Sequence, residues 1–173
     1  MPRSYSAALP IAYVVLRILI VLNWLYGAAI LALLLLMPHR HWIMAAFKLS
    51  PGPEADLLIM GLEAVAVLGL VTVPLHYVIL RRLTAMVDTV RAGDPFVPAN
   101  AKRLQGIAWI LVALQLIGML IGAIGLGVSS PAHPVHLDAG FSVNGWLVVL
   151  LTFLLARVFA EGTLMRDDLE GTV

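Results

Sequence analysis

Four stretches in which apolar residues follow one another with few interruptions divide the chain: residues 9–37, 55–80, 107–128 and 141–159. Crossing a hydrocarbon core about 30 Å thick takes about 20 helical residues, and each stretch meets or nearly meets that length. None alternates apolar and polar positions as a barrel strand does, and open strands would leave backbone groups unpaired in lipid. The pattern therefore predicts an all-α membrane protein, a four-transmembrane-helix bundle. The first stretch contains Arg17 and Asn23 and stops at Pro38. It is far longer than the apolar region of a signal peptide, and no small-residue cleavage pattern follows it, so it is taken as a span.

Between the spans the periodicity continues in places. Leu80, Leu83, Val87 and Val90 extend a helical stripe among Arg81, Arg82, Asp88 and Arg91, and Gly93 is placed to cap the helix. Pro74 removes one backbone bond from the second span and predicts a kink. After it, Asp94-Pro95-Phe96-Val97-Pro98-Ala99 predicts a rigid turn, with Asn100 as N-cap of the helix that enters the third span. Residues 81–106 thus form a helical hairpin between spans two and three. In the first loop, Trp42, Ile43, Ala46 and Phe47 stand among His39, Arg40, His41 and Lys48, the spacing of a short helix lying at a membrane interface. Ser50-Pro51-Gly52-Pro53 then turns the chain, and Glu54 and Asp56 sit where the next helix dipole favours them. The chain is read as one integral membrane domain over residues 1–173, without repeats or a soluble module.

Composition strengthens this reading. Of the 173 residues 61% are apolar and 12% charged, and the mean hydropathy of +0.98 excludes a water-soluble domain. The absence of cysteine excludes disulfides, thiol nucleophiles and thiolate metal sites. The net charge of +1 matters less than where the charges fall. Arg81, Arg82, Arg91, Lys102 and Arg103 lie between spans two and three, Arg157 lies just inside the end of span four, and Arg166 lies in the tail after it. The first loop has only Arg40 and Lys48, and residues 129–140 have neither Lys nor Arg. Basic residues collect on the cytoplasmic side, so the hairpin, the tail at 160–173 and both termini are expected there. Residues 81–103 carry a net +3 and residues 161–173 a net −3. Two readings stand: the acidic tail docks against the hairpin or competes with a partner for it, or the hairpin simply lies near anionic lipid.

Ionisable groups inside a span cost about 2.5–3.5 kcal/mol at its centre, so Arg17, Glu63 and His76 each call for a reason, and Asn23 and Gln115 are the other polar residues inside the spans. Glu63 falls near the level of Asn23, which predicts a hydrogen bond between them; the alternative is a proton- or cation-coupled carboxylate of a small transporter. Arg17 falls level with Gln115 and His76 and is expected to pair or to snorkel. A single histidine within the spans cannot supply two axial haem ligands, and no cofactor is expected. His39, His41, His133 and His136 with Asp138 fall on the outer side and are the candidates for a metal site, but their spacing does not specify one, and loop histidines at a wet interface are the plainer reading. Gly118, Gly122 and Gly125, with Gly61 and Gly69, provide small faces for packing inside the bundle or for a homodimer. No phosphate-cradling loop, metalloprotease helix or nucleophile elbow occurs, so no enzyme activity is expected, and no direct binding of nucleic acid either.

The run Leu80-Arg81-Arg82-Leu83, followed by the segment from Val87-Asp88-Thr89-Val90-Arg91 through Gly93-Asp94-Pro95-Phe96-Val97-Pro98-Ala99-Asn100 to Lys102-Arg103-Leu104, resembles the central signature of the DUF2975 family. The end, from Val158-Phe159-Ala160-Glu161-Gly162-Thr163-Leu164 to Asp167-Asp168-Leu169-Glu170-Gly171-Thr172-Val173, is similar to that family's close. The resemblance covers essentially the whole chain. It implies a small four-span protein of the bacterial inner membrane, frequently encoded beside an XRE-type helix-turn-helix regulator, which it would bind or sequester in response to a signal. Arg81, Arg82, Arg91, Asp94, Pro95, Phe96, Asn100 and Arg103, with Leu104, are then the candidates for a switch or docking surface. Against this stand a transporter or resistance protein using Glu63 and an immunity-type protein using the outer loops.

Overall fold

The structure, a computed structural model, describes residues 8–39, 43–45, 50–129 and 139–170, with all side chains in those stretches except those of residues 8 and 167–170. Among the described residues four long helices follow one another: α1 (Ala8–Leu36), α2 (Pro53–Arg91), α3 (Pro98–Val128) and α4 (Val143–Glu170). All four are long and apolar enough to cross a membrane, and no strand occurs among the described residues. The chain is a multi-pass membrane protein. Its surface carries the same message, because only 6% of the most apolar window of α1 is buried within the protein. In water each exposed Leu or Val of that helix would cost about 25 cal/mol per Å² of apolar surface. Such a helix needs lipid around it.

Local chemistry explains the helix ends. α1 stops where Met37 and Pro38 turn, with the Met37 N–H still reaching the Leu33 carbonyl at 3.1 Å. α2 begins at Pro53, a first-turn position where the missing N–H costs nothing, with Glu54 and Asp56 in the same turn. The helix passes Pro74 without a break and continues beyond the apolar stretch to Arg91. α3 likewise begins before its apolar stretch, at Pro98, and α4 continues past residue 159 to Glu170.

The contacts divide the chain into two compact units, with three of the four borders inside helices: Met1–Asn23 with Leu75–Ala113 and Val143–Val173, and Trp24–Pro74 with Leu114–Ser142. Small residues organise the second. A Cβ on Gly27 would stand 3.0 Å from Val73, one on Gly69 would stand 3.3 Å from Ile30, and one on Gly61 would overlap Val128. Branched side chains seat directly on these glycines, so that small residues let the helices come close, as is usual where helices pack in lipid. Met37, Ile43 and Ile59 form a buried cluster with Leu34, Met44 and Leu62 around it. Ile43–Ala45 is helical and Ile43 is buried, so this part of the first loop turns its apolar side to protein. Arg40, His41, Trp42 and 46–49 lie outside the described residues.

In the first unit, Leu104, Ile107 and Ala108 of α3 and Val149 and Ala156 of α4 are buried. Trp109 meets Phe153 edge-on at 5.4 Å. Two polar residues, Asn100 and Thr163, are buried here as well.

Candidate functional site

The turn between α2 and α3 is built by its own backbone. The Gly93 N–H donates to the Val90 carbonyl and the Asp94 N–H to the Thr89 carbonyl, each at 3.0 Å. These are the two bonds of a Schellman cap, which places residue 93 in the left-handed region, here at φ 86°, where glycine has no Cβ penalty. Pro95 follows, and Pro98 opens α3 at its first-turn position.

Asn100 is not the N-cap of α3. Pro98 has already set the first helical residue, so Asn100 sits inside the first turn, where its N–H donates to the Val97 carbonyl at 2.9 Å. Its side chain is fully buried and works across the turn instead. Nδ2 donates to Thr89 Oγ1 at 2.7 Å and to the Pro95 carbonyl at 2.9 Å, while Oδ1 accepts from Arg103 Nη1 at 2.7 Å. Thr89 in turn donates to the Met86 carbonyl at 2.7 Å, and Arg103 Nη1 also reaches the Ala85 carbonyl at 3.4 Å. One amide thereby ties the last turns of α2, the connecting turn and the first turns of α3 together.

The same turn is held to α4. The Phe96 ring lies 5.4 Å from the Phe159 ring, tilted by 37°, and packs over Gly162, where a Cβ would stand 2.8 Å from it. Asp94 pairs with Arg166. Thr163, buried between them in sequence, returns its hydroxyl to the Ala160 carbonyl at 2.6 Å, which satisfies it within α4. The clasp joins hairpin and tail, but the described ion pair has the polarity opposite to the overall charges: the acid is on the turn and the base on the tail. The side chains of Asp167, Asp168 and Glu170 lie outside the described set. Both partners of the pair are more than a third exposed, so its coupling energy is expected to be under about 1 kcal/mol. A double-mutant cycle of Asp94→Ala and Arg166→Ala on unfolding in detergent checks this.

The remaining hairpin arginines are placed by aromatic and small residues. Arg91 stands 5.4 Å from the centre of the Tyr13 ring, Arg17 stands 5.3 Å from it, and Arg17 Nη2 also donates to the Tyr13 hydroxyl at 2.7 Å. Arg17 thus reaches one turn back toward the start of α1, the direction a snorkelling side chain takes. Arg81 lies 5.9 Å from the centre of Tyr77. Arg82 lies over Gly106 and occupies the place a Cβ there would need.

The polar residues of the spans divide between the two units: Arg17, Asn23 and His76 belong to the first, Glu63 and Gln115 to the second. Glu63 on α2 is half-buried and makes no hydrogen bond or ion pair among the described residues. Asn23 and His76 have partners of their own, and Gln115 is half-buried on α3. Of the outer histidines, His39 is exposed at the end of α1; His41, His133, His136 and Asp138 lie outside the described residues.

Tyr13, Thr89, Gly106, Phe159 and Gly162 were not among the residues singled out for the site. Tyr13 and Arg17 form an i,i+4 pair that the sequence does display. The others become visible only when α2, α3 and α4 are brought side by side.

The family model described as a protein of unknown function (DUF2975) matches residues 37–173. That stretch contains the whole α2–α3 turn and the end of α4, whereas α1 falls outside it, so the match covers less than the whole chain. No curated protein and no solved structure matches the chain.

Proposed function

The chain belongs to the DUF2975 family, and from that premise we propose that it is a non-catalytic regulatory protein of the bacterial inner membrane that relays a signal to a small cytoplasmic protein. The partner is of the XRE helix-turn-helix class that the family resemblance implies. In this reading the α2–α3 turn, the end of α4 and both termini face the cytoplasm, in keeping with the concentration of Lys and Arg in residues 81–103. The observation that supports it best is the situation of Phe96. The ring rests on Phe159 and Gly162, yet 43% of the residue is exposed, so it can serve a clasp and a partner from one position. An exposed aromatic beside charged groups has the composition of an interaction hot spot.

Co-purification from native membranes tests the proposal. The intact protein is expected to retain a small DNA-binding protein, and Phe96→Ala is expected to reduce its recovery about tenfold, the effect of losing an aromatic anchor. Equal recovery with both, or none with the intact protein, refutes it.

The unpartnered state of Glu63 among the described residues supports a second reading, proton- or cation-coupled transport. Glu63→Gln separates the two. Under the regulatory reading the variant keeps the partner, and reconstituted vesicles show the same ion flux with either protein as with none. Flux that depends on Glu63 establishes transport.

A further inference from the structure

We propose that the cavity lined by Tyr77, Val78, Arg81, Arg82, Ala85 and Arg103 is a binding site for a phosphate-type anion, carried either by an anionic lipid headgroup or by a small soluble phosphate. This site is distinct from the Phe96 clasp and does not depend on the regulatory reading.

Three arginines line one cavity of about 290 Å³, and none of its lining residues is acidic. Arg82 Nη1 is buried and has no hydrogen-bond partner. A buried cationic group without a partner is costly, and an anion in the adjoining cavity offsets its charge. The chain holds Arg82 in place: its guanidinium fills the space over Gly106 that any Cβ would claim. Arg103 is held too, with Nη1 on Asn100 Oδ1 and the Ala85 carbonyl, and Arg81 is held against the Tyr77 ring. Forked donors fixed from separate turns of α2 and α3 suit an anion with several oxygens. The volume is near the lower end for small-molecule sites, enough for a phosphate with a glycerol-sized substituent and too small for a nucleotide. Basic pockets between helices at the cytoplasmic end of a membrane protein are a known form of headgroup site.

Binding is measured on the purified full chain in detergent by native mass spectrometry with phosphatidylglycerol and with phosphatidylcholine, and by thermal stabilisation with glycerol 1-phosphate. Expected is a preference for phosphatidylglycerol over phosphatidylcholine, or stabilisation by glycerol 1-phosphate, that falls about tenfold in Arg82→Gln and is unchanged in Arg157→Gln. Arg157 is an exposed arginine already paired with Glu161 at 2.6 Å, so it reports attraction of anions to the general surface. Response to phosphatidylglycerol alone assigns the site to lipid, and response to glycerol 1-phosphate assigns it to a soluble ligand. Should Arg82→Gln fail to fold, Arg81→Gln carries the test, with a loss of about threefold expected. No anion preference in the intact protein, or an equal loss in Arg157→Gln, overturns the proposal.

Discussion

Asn100→Ala is expected to lower the stability of the protein by about 3 kcal/mol, a large fraction of what holds most domains folded. The residue is fully buried and uses both amide hydrogens and its carbonyl oxygen. Alanine leaves the Pro95 carbonyl without its donor and Arg103 Nη1 with only the distant Ala85 carbonyl at 3.4 Å. Thr89 loses a donor as well, although its own hydroxyl stays on Met86. Buried groups left unsatisfied cost about 1–3 kcal/mol each, more than the net value of the bonds themselves. Asn100→Asp is the informative companion. A carboxylate keeps the acceptor for Arg103 and strengthens that bond, but it faces the Pro95 carbonyl with no hydrogen to offer. The expected loss is intermediate, about 1–2 kcal/mol. Equilibrium unfolding in detergent measures both, and a loss under about 0.5 kcal/mol for alanine contradicts the network. Because the network fixes the turn that carries Phe96, alanine is also expected to loosen the contact with Phe159.

Much of this architecture is local, and what is local was legible. Gly93 after a run of helix-compatible residues announced the cap of α2, and the left-handed φ of 86° is the conformation that choice permits. The long apolar runs announced four spans because lipid demands length and apolarity from each helix separately. At Asn100 two local rules conflict. Asparagine is a good N-cap, but Pro98 two residues earlier is a better mark of a first turn, and the fixed φ of proline decides where the helix starts. The partners of Asn100 and Phe96 lay beyond any local rule. Thr89 is eleven residues from Asn100 and belongs to another helix, and Phe159 and Gly162 meet Phe96 across more than sixty positions. Charge totals are likewise silent on individual contacts. Residues 81–103 carry a net +3 and residues 161–173 a net −3, while the ion pair described between them, Asp94 with Arg166, involves the minority charge on each side. Totals describe the field at a distance; contact depends on which side chain faces which.

The small-residue face of α3 yields an equally strong prediction, because its glycines stand in different surroundings. At Gly122 a Cβ would stand 2.7 Å from the Ala139 carbonyl oxygen, 2.8 Å from Gly140 Cα and 2.9 Å from the Ala139 carbonyl carbon. These are backbone atoms, which cannot swing aside as a side-chain end does. Gly140 beside it stands at φ 131°, a region closed to other residues without strain, so the close approach is made by a glycine on each side. One turn earlier on α3, at Gly118, a Cβ meets nothing within 4 Å. Gly122→Ala is therefore expected to cost about 2–3 kcal/mol through overpacking. Gly118→Ala is expected to be neutral or to gain up to about 1 kcal/mol from helix propensity. Unfolding of both variants in detergent, with the oligomeric state measured alongside, separates packing within the chain from a helix dimer. If both glycines serve a contact between two copies, the substitutions weaken association together and leave the isolated chain alike. If Gly122 admits residues 139–140 against α3, it alone is sensitive, and its sensitivity is independent of protein concentration.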